Sequence, residues 1–212
     1  MQIHEAPNVI IIPAYNEDSW LELTLKKVHE SMAKTKINAH LIVVDDGSKD
    51  RTAEVARKAG CEVIQMPKNV GKANAVFAGF KRAVELGAHS TILLDADILK
   101  MEDSLFSEMI STARKITVEK KEIMLVSPWR EKREDFPTIH VSGIRSFSTP
   151  ALHRVLSSKV KGVVKGYGLE VFLNHLFAGR KMISLDGRQT MHGARAEFVG
   201  REAFASVRSK ET

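Results

Sequence analysis

The sequence predicts an α/β fold: a mostly parallel, open sheet flanked by helices, in a single domain. Two observations lead there. Short runs that are β-branched and nearly all apolar recur through the first 128 residues, and amphipathic stretches separate them. Apolar runs without alternation suit strands covered on both faces, as in a parallel sheet. Strands alternating with helices imply βαβ units and hence a doubly wound sheet.

The elements follow in order. "NVIIIP" (8–13), "HLIVVD" (40–45), "CEVIQM" (61–66), "STILLD" (90–95) and "EIMLVS" (122–127) read as strands. Ser19–Thr35 reads as a helix because Leu21, Leu25, Val28 and Met32 recur at helical spacing. Thr52–Ala59 is a short helix, Ala73–Leu86 carries Val76, Phe77, Phe80 and Val84 on one face, and Ser104–Val118 follows. Beyond Pro128 the rhythm breaks. A polar connection is expected over 129–146, then helices at Thr149–Ser158 and Leu169–Ala178, a strand-like "KMISLD" (181–186) and a basic tail. The division expected is a nucleotide-binding half over 1–128 and an acceptor-binding half over 129–212.

Composition narrows the function classes. With 43% hydrophobic residues the chain is an ordinary globular protein, long enough to bury a sizeable core. The single cysteine, Cys61, excludes an intramolecular disulfide and fits a reducing compartment. The opening residues lack a basic leader, and no run approaches the roughly 20 apolar residues that span a bilayer. The expectation is a cytoplasmic protein whose membrane contact, if any, is peripheral. A net charge of +6 points to anionic partners. The basic residues are dispersed and lack the aromatic interleaving of single-strand binders, so nucleic acid ranks behind phosphorylated ligands and anionic membrane surfaces.

In open α/β sheets ligands bind beyond the carboxyl ends of the strands. Those ends read Pro13-Ala14-Tyr15-Asn16-Glu17, Asp45-Asp46-Gly47-Ser48, Pro67-Lys68-Asn69 and Asp95-Ala96-Asp97. One such cluster is turn chemistry; four on one edge make a site. Asp95 and Asp97, separated by one small residue, can approach a hard divalent cation together and leave positions open for phosphate oxygens. The competing reading is a turn, with Asp95 capping the helix near Ser104. Asp45 and Asp46 have two readings as well. Asp46 or Ser48 could cap the helix at Thr52, or a carboxylate could accept the ring N–H of uracil or guanine while its neighbour takes ribose hydroxyls. Lys72, in "NVGKANA" after the turn residue Gly71, is a cation beside the expected phosphate path.

"IIIPAYNE", "LIVVDDGSKDRTAEVA", "NVGKANA" and "ILLDAD", in that order, resemble family 2 glycosyltransferases of the GT-A fold. "SGIRSFS" (142–148) and "GYGLE" (166–170) resemble segments of polyprenyl-phosphate sugar transferases. The resemblance implies that Pro13, Ala14, Tyr15 and Glu17 line base and ribose, with Asp45, Asp46 and Gly47 at the base. Asp95 and Ala96 would meet the ribose or donor sugar. Asp97, with Asp95 and a late histidine, His192, would bind Mn²⁺ or Mg²⁺. Arg145 would steady the departing diphosphate. Glu170 is the available general base, although Val171 stands where many inverting members carry an aspartate. A phosphate acceptor is already anionic and needs no strong base, so this departure favours one.

The implied activity is metal-dependent inverting transfer from a UDP- or GDP-sugar to a polyprenyl phosphate or a hydroxyl, with a homodimer as the assembly expectation. Two other classes compete. A sugar-phosphate nucleotidyltransferase would begin with a Gly-rich loop where this chain has Pro-Ala-Tyr-Asn-Glu. A non-catalytic nucleotide-sugar-binding module would not need Asp95, Asp97, Arg145 and Glu170 together.

Overall fold

The computed structural model describes residues 6–100, 102–126, 143–158, 168–178, 182–184 and 191–192. The elements in chain order are β1 (Asn8–Ala14), α1 (Asp18–Thr35), β2 (Ala39–Asp45), α2 (Thr52–Lys58), β3 (Glu62–Gln65), α3 (Lys72–Glu85) and β4 (Ser90–Leu93). They continue with β5 (Ile98–Lys100), α4 (Asp103–Val118), β6 (Met124–Val126), β7 (Arg145–Ser148), α5 (Thr149–Ser157), α6 (Gly168–Leu176), β8 (Met182–Ser184) and β9 (Met191–His192).

Seven strands form one sheet in the order β3-β2-β1-β4-β7-β6-β8, and β5 pairs with β9 apart from it. β3, β2, β1 and β4 are parallel neighbours. β7 runs against both β4 and β6, and β8 is parallel to β6. The chain winds outward from β1 to β3, then crosses back to place β4 on the other side of β1. That reversal opens a crevice beyond the carboxyl ends of β1 and β4, the usual ligand position in such sheets.

The apolar strands owe their composition to burial on two faces, since successive side chains point to opposite sides. Ile10 and Ile12 pack with Leu21, Leu25 and Val28 of α1 and with Phe106 and Met109 of α4. Val9 and Ile11 pack with Val76 and Phe80 of α3, Leu152 of α5 and Leu173 of α6. α1, α2 and α4 therefore cover one face, and α3, α5 and α6 the other. Phe147 of β7 stands between Phe80 and Phe177, at centroid distances of 4.9 Å and 6.2 Å. Each such pair contributes about 0.5–1.5 kcal/mol beyond its buried area.

The expected helices and strands of the first half occur with small shifts at their ends. The strands not expected include β5 (Ile98–Lys100) and Arg145–Ser148, whose first two residues were expected to close the polar connection over 129–146 and which is a fully buried antiparallel strand. "RSFS" lacks an apolar pattern, so its burial depends on specific partners. Ser146 Oγ donates to the Met109 carbonyl at 3.1 Å and Ser148 Oγ to the Lys121 carbonyl at 2.7 Å. The connection over 129–142, positions Gly166 and Tyr167, and the tail past 192 lie outside the described residues. Among the described residues no helix is long and apolar enough to cross a membrane. Cys61 is buried, and that burial pushes its thiol up to about 11.

Candidate active site at the carboxyl edge of the sheet

The turns after β1 and β2 are tied to each other. Asn16, in the left-handed region at φ 54°, donates its N–H to Ser48 Oγ at 2.9 Å and accepts from the Lys49 N–H at 2.8 Å. Asparagine tolerates that backbone better than most residues. The Glu17 N–H reaches Thr52 Oγ1 at 2.9 Å. Pro13–Glu17 and Asp45–Ser48 therefore form one rim, with the Tyr15 side chain exposed at it.

The two adjacent acids after β2 separate cleanly in role. Asp46 accepts from the Val70 and Gly71 N–H groups, both at 2.8 Å, and so holds the loop that leads into α3. Asp45 accepts from the Ser48 N–H at 2.9 Å through Oδ1, while its Oδ2 is buried with no hydrogen-bond partner among the described residues. Capping of α2 belongs to neither. Asp50 takes the Thr52 N–H at 2.9 Å. Gly47 is required by geometry: at φ +74° a Cβ there would lie 2.5 Å from the Lys68 carbonyl carbon.

Lys72, the first residue of α3, links the two halves of the chain. Its Nζ donates to Asp95 Oδ1 at 2.7 Å and to Glu170 Oε1 at 2.9 Å. Burial alone would lower the ammonium pKa, but the two carboxylates outweigh it and hold the group above its ordinary value. Asp95 is thus committed to Lys72 and does not cap α4, whose N-cap is Glu102. Glu170, in the first turn of α6, is buried, and its Oε2 has no hydrogen-bond partner among the described residues. Such an orphaned carboxylate oxygen is costly, and a ligand donor would relieve the cost.

Gly143 closes the same corner. A Cβ at this position would fall on the Asp95 carboxylate, so glycine is what lets β7 approach the acid. Arg145, two residues on, is fully buried and donates to Asn174 Oδ1 at 2.8 Å. Burial pulls its guanidinium down to about 10, against the opposing pull of Glu170 and Asp95, so it stays charged at neutral pH. Asn174 was absent from the sequence expectations. Its signal was its position four residues after Glu170, which puts both on one face of α6.

The remaining acids crowd one another. Burial raises Glu17 to about 7, with Asp97, Asp50 and Asp95 adding in that order. Such a concentration of carboxylates suits a divalent cation. Among the described residues no three ligand-type side chains converge as a metal cage. The strand β9 sets the backbone of His192 opposite Ile98, next after Asp97. The imidazole itself lies outside what the structure describes.

The chain is similar to known glycosyltransferases. The chain is 30% identical over 176 residues to the dolichyl-phosphate β-glucosyltransferase ALG5D of Trichomonas vaginalis, covering 76% of this chain and 52% of that one. It is 30% identical over 177 residues to the 4,4'-diaponeurosporenoate glycosyltransferase of Staphylococcus haemolyticus, covering 78% and 43%. The chain spans between 32% and 65% of the length of the first curated relatives it matches. Among solved structures, glucosyl-3-phosphoglycerate synthase from Mycobacterium tuberculosis, in complex with Mn²⁺, UDP and glucosyl-3-phosphoglycerate, superposes with a TM-score of 0.63. That alignment covers 96% of this chain and 79% of the other at 18% identity, and it establishes a shared GT-A fold. The family model described as glycosyl transferase family 2 matches residues 9–182, from the first core strand to β8, and the chain belongs to that family.

Proposed function

We propose that the chain transfers a sugar from a nucleoside-diphosphate donor to an acceptor bound against α6, inverting the anomeric centre. The observation that carries this reading is the Lys72 bridge. It brings Asp95, at the donor end of β4, against Glu170, at the start of the helix expected to meet the acceptor.

The base would lie on the rim formed by Pro13, Ala14, Tyr15 and Gly47, its ring N–H donating to the open Oδ2 of Asp45. Asp46 would act through the loop it holds, and Asp95 with Ala96 would meet the ribose or sugar. Asp97, with His192, would hold a Mn²⁺ or Mg²⁺ ion, which when bound neutralises the diphosphate as a Lewis acid. The acceptor oxygen attacks the anomeric carbon as the bond to the diphosphate breaks, and the electron pair leaves on the phosphate oxygen. Arg145, oriented by Asn174, counters that growing charge. With a hydroxyl acceptor, Glu170 takes the proton. With a phosphate acceptor no proton moves and Glu170 only positions neighbouring groups, Lys72 among them.

Val171 in place of a second acid favours the phosphate acceptor. The Trichomonas relative, a dolichyl-phosphate β-glucosyltransferase, supports the same preference. The test is release of nucleoside diphosphate from UDP- and GDP-sugars, with and without Mn²⁺, against polyprenyl phosphates and sugar hydroxyls. Metal-dependent release that requires an acceptor is expected. Failure to bind UDP or GDP with Mn²⁺ would overturn the proposal, and pyrophosphate release from a nucleoside triphosphate and a sugar phosphate would replace it with nucleotidyl transfer.

A further inference from the structure

α1 carries a polar interruption in its buried face. Leu21, Leu25 and Val28 pack into the core, yet Thr24 and Ser31 between and beyond them are buried as well. Their spacing of seven residues is two helical turns, so both lie on one side of the helix. Thr24 Oγ1 donates to the Ala96 carbonyl at 2.7 Å and accepts from the Ile98 N–H at 2.9 Å. One hydroxyl thereby spans Asp97, bonding the residue before it and the residue after it. Ser31 Oγ donates to Asp103 Oδ1 at 2.6 Å, where α4 begins. The segment carrying Asp97 is therefore held to α1 at both ends.

We infer that Thr24 is a positioning residue for the cation site: it fixes the backbone on both sides of Asp97 and so aims that carboxylate. This rests on the assignment of Asp97 to the metal made above. A threonine hydroxyl suits the task because it donates and accepts at once, and its methyl group fills the core around it. Valine keeps the shape and loses both bonds, whereas serine keeps both bonds and loses only the methyl. A residue that merely packed α1 against the core would tolerate valine at least as well as serine. A residue that aims Asp97 requires the opposite order.

The test is Mn²⁺ binding in the presence of UDP or GDP, read by the loss of the free-ion paramagnetic resonance signal, for wild type, Thr24→Ser and Thr24→Val. Thr24→Val should bind Mn²⁺ about 10–100-fold more weakly, the range for loss of a supporting contact behind a metal ligand. Thr24→Ser should stay within about threefold of wild type. The shift in melting temperature on adding Mn²⁺ and nucleotide should shrink in Thr24→Val alone. If Thr24→Val does not fold, Thr24→Cys, a weak donor and acceptor of similar size, takes its place and should lose affinity in the same direction. Wild-type affinity in the valine or cysteine variant, or equal losses in serine and valine, would overturn the inference and leave the glycosyltransferase reading standing. Absence of Mn²⁺–nucleotide binding in the wild type would overturn both.

Discussion

Asp45 and Asp46 are chemically identical neighbours with opposite engagements. Both Asp46 oxygens are taken by backbone N–H groups of the loop before α3, so Asp46→Asn removes a charged acceptor from two bonds. The expected cost is about 2–3 kcal/mol of stability, read as a lower denaturant midpoint. Asp45 keeps one buried oxygen without a hydrogen-bond partner among the described residues. Asp45→Asn should leave stability within about 1 kcal/mol of wild type, or raise it, while weakening UDP or GDP binding at least about tenfold. Calorimetric titration of both variants separates the two outcomes. Glu17 gives a pH signature. Burial and the neighbouring acids raise it from its ordinary value of 4.5 to about 7. The folded state then holds a proton that the unfolded state has released, so this group's contribution is full below pH 4.5 and lost as pH rises to about 7. Melting curves of the metal-free protein should show that decline, and Glu17→Gln should flatten it over the same window.

At the scale of elements, β7 decides how close the second half comes to the first. Its entry at Gly143 places backbone where a Cβ would meet the Asp95 carboxylate. Gly143→Ala should therefore displace either the strand or the acid, costing about 1–3 kcal/mol as overpacking does. Sugar transfer should fall more steeply than stability, because Asp95 is the group moved; activity and thermal unfolding measured on one preparation show the ratio. β1, β2 and β4 were legible in the sequence because burial on both faces forces an uninterrupted apolar run. β7 was not legible. Arg145, Ser146 and Ser148 are polar, and what buries them are the Asn174 side chain and the Met109 and Lys121 carbonyls, all remote in sequence.

At the scale of the molecule, Lys72 joins elements 98 residues apart in the chain, Glu170 lying across the site from α3. A double-mutant cycle with Lys72→Met and Glu170→Gln should give a coupling of about 1 kcal/mol in stability, modest because the Lys72 side chain is 36% exposed and screened by solvent. The same cycle run on kcat should couple more strongly for a hydroxyl acceptor, where Glu170 takes the proton. Additive effects in both would show that Lys72 does not serve Glu170.

By itself the sequence determined the alternation of apolar strands with amphipathic helices, the sheet class that alternation requires, and the strand-end positions of Asp45, Asp46, Asp95 and Asp97. These are local consequences of side-chain period and of where a strand leaves its sheet. The tertiary structure alone decided which acid is occupied and which is open. Asp46 is engaged by a loop 24 residues later, Asp95 by Lys72, and the backbone on either side of Asp97 by a threonine 72 residues before Ala96 and 74 before Ile98. The reason is physical: a carboxylate's role depends on the donors that reach it. Those donors come from segments whose distance in sequence carries no trace of their distance in space.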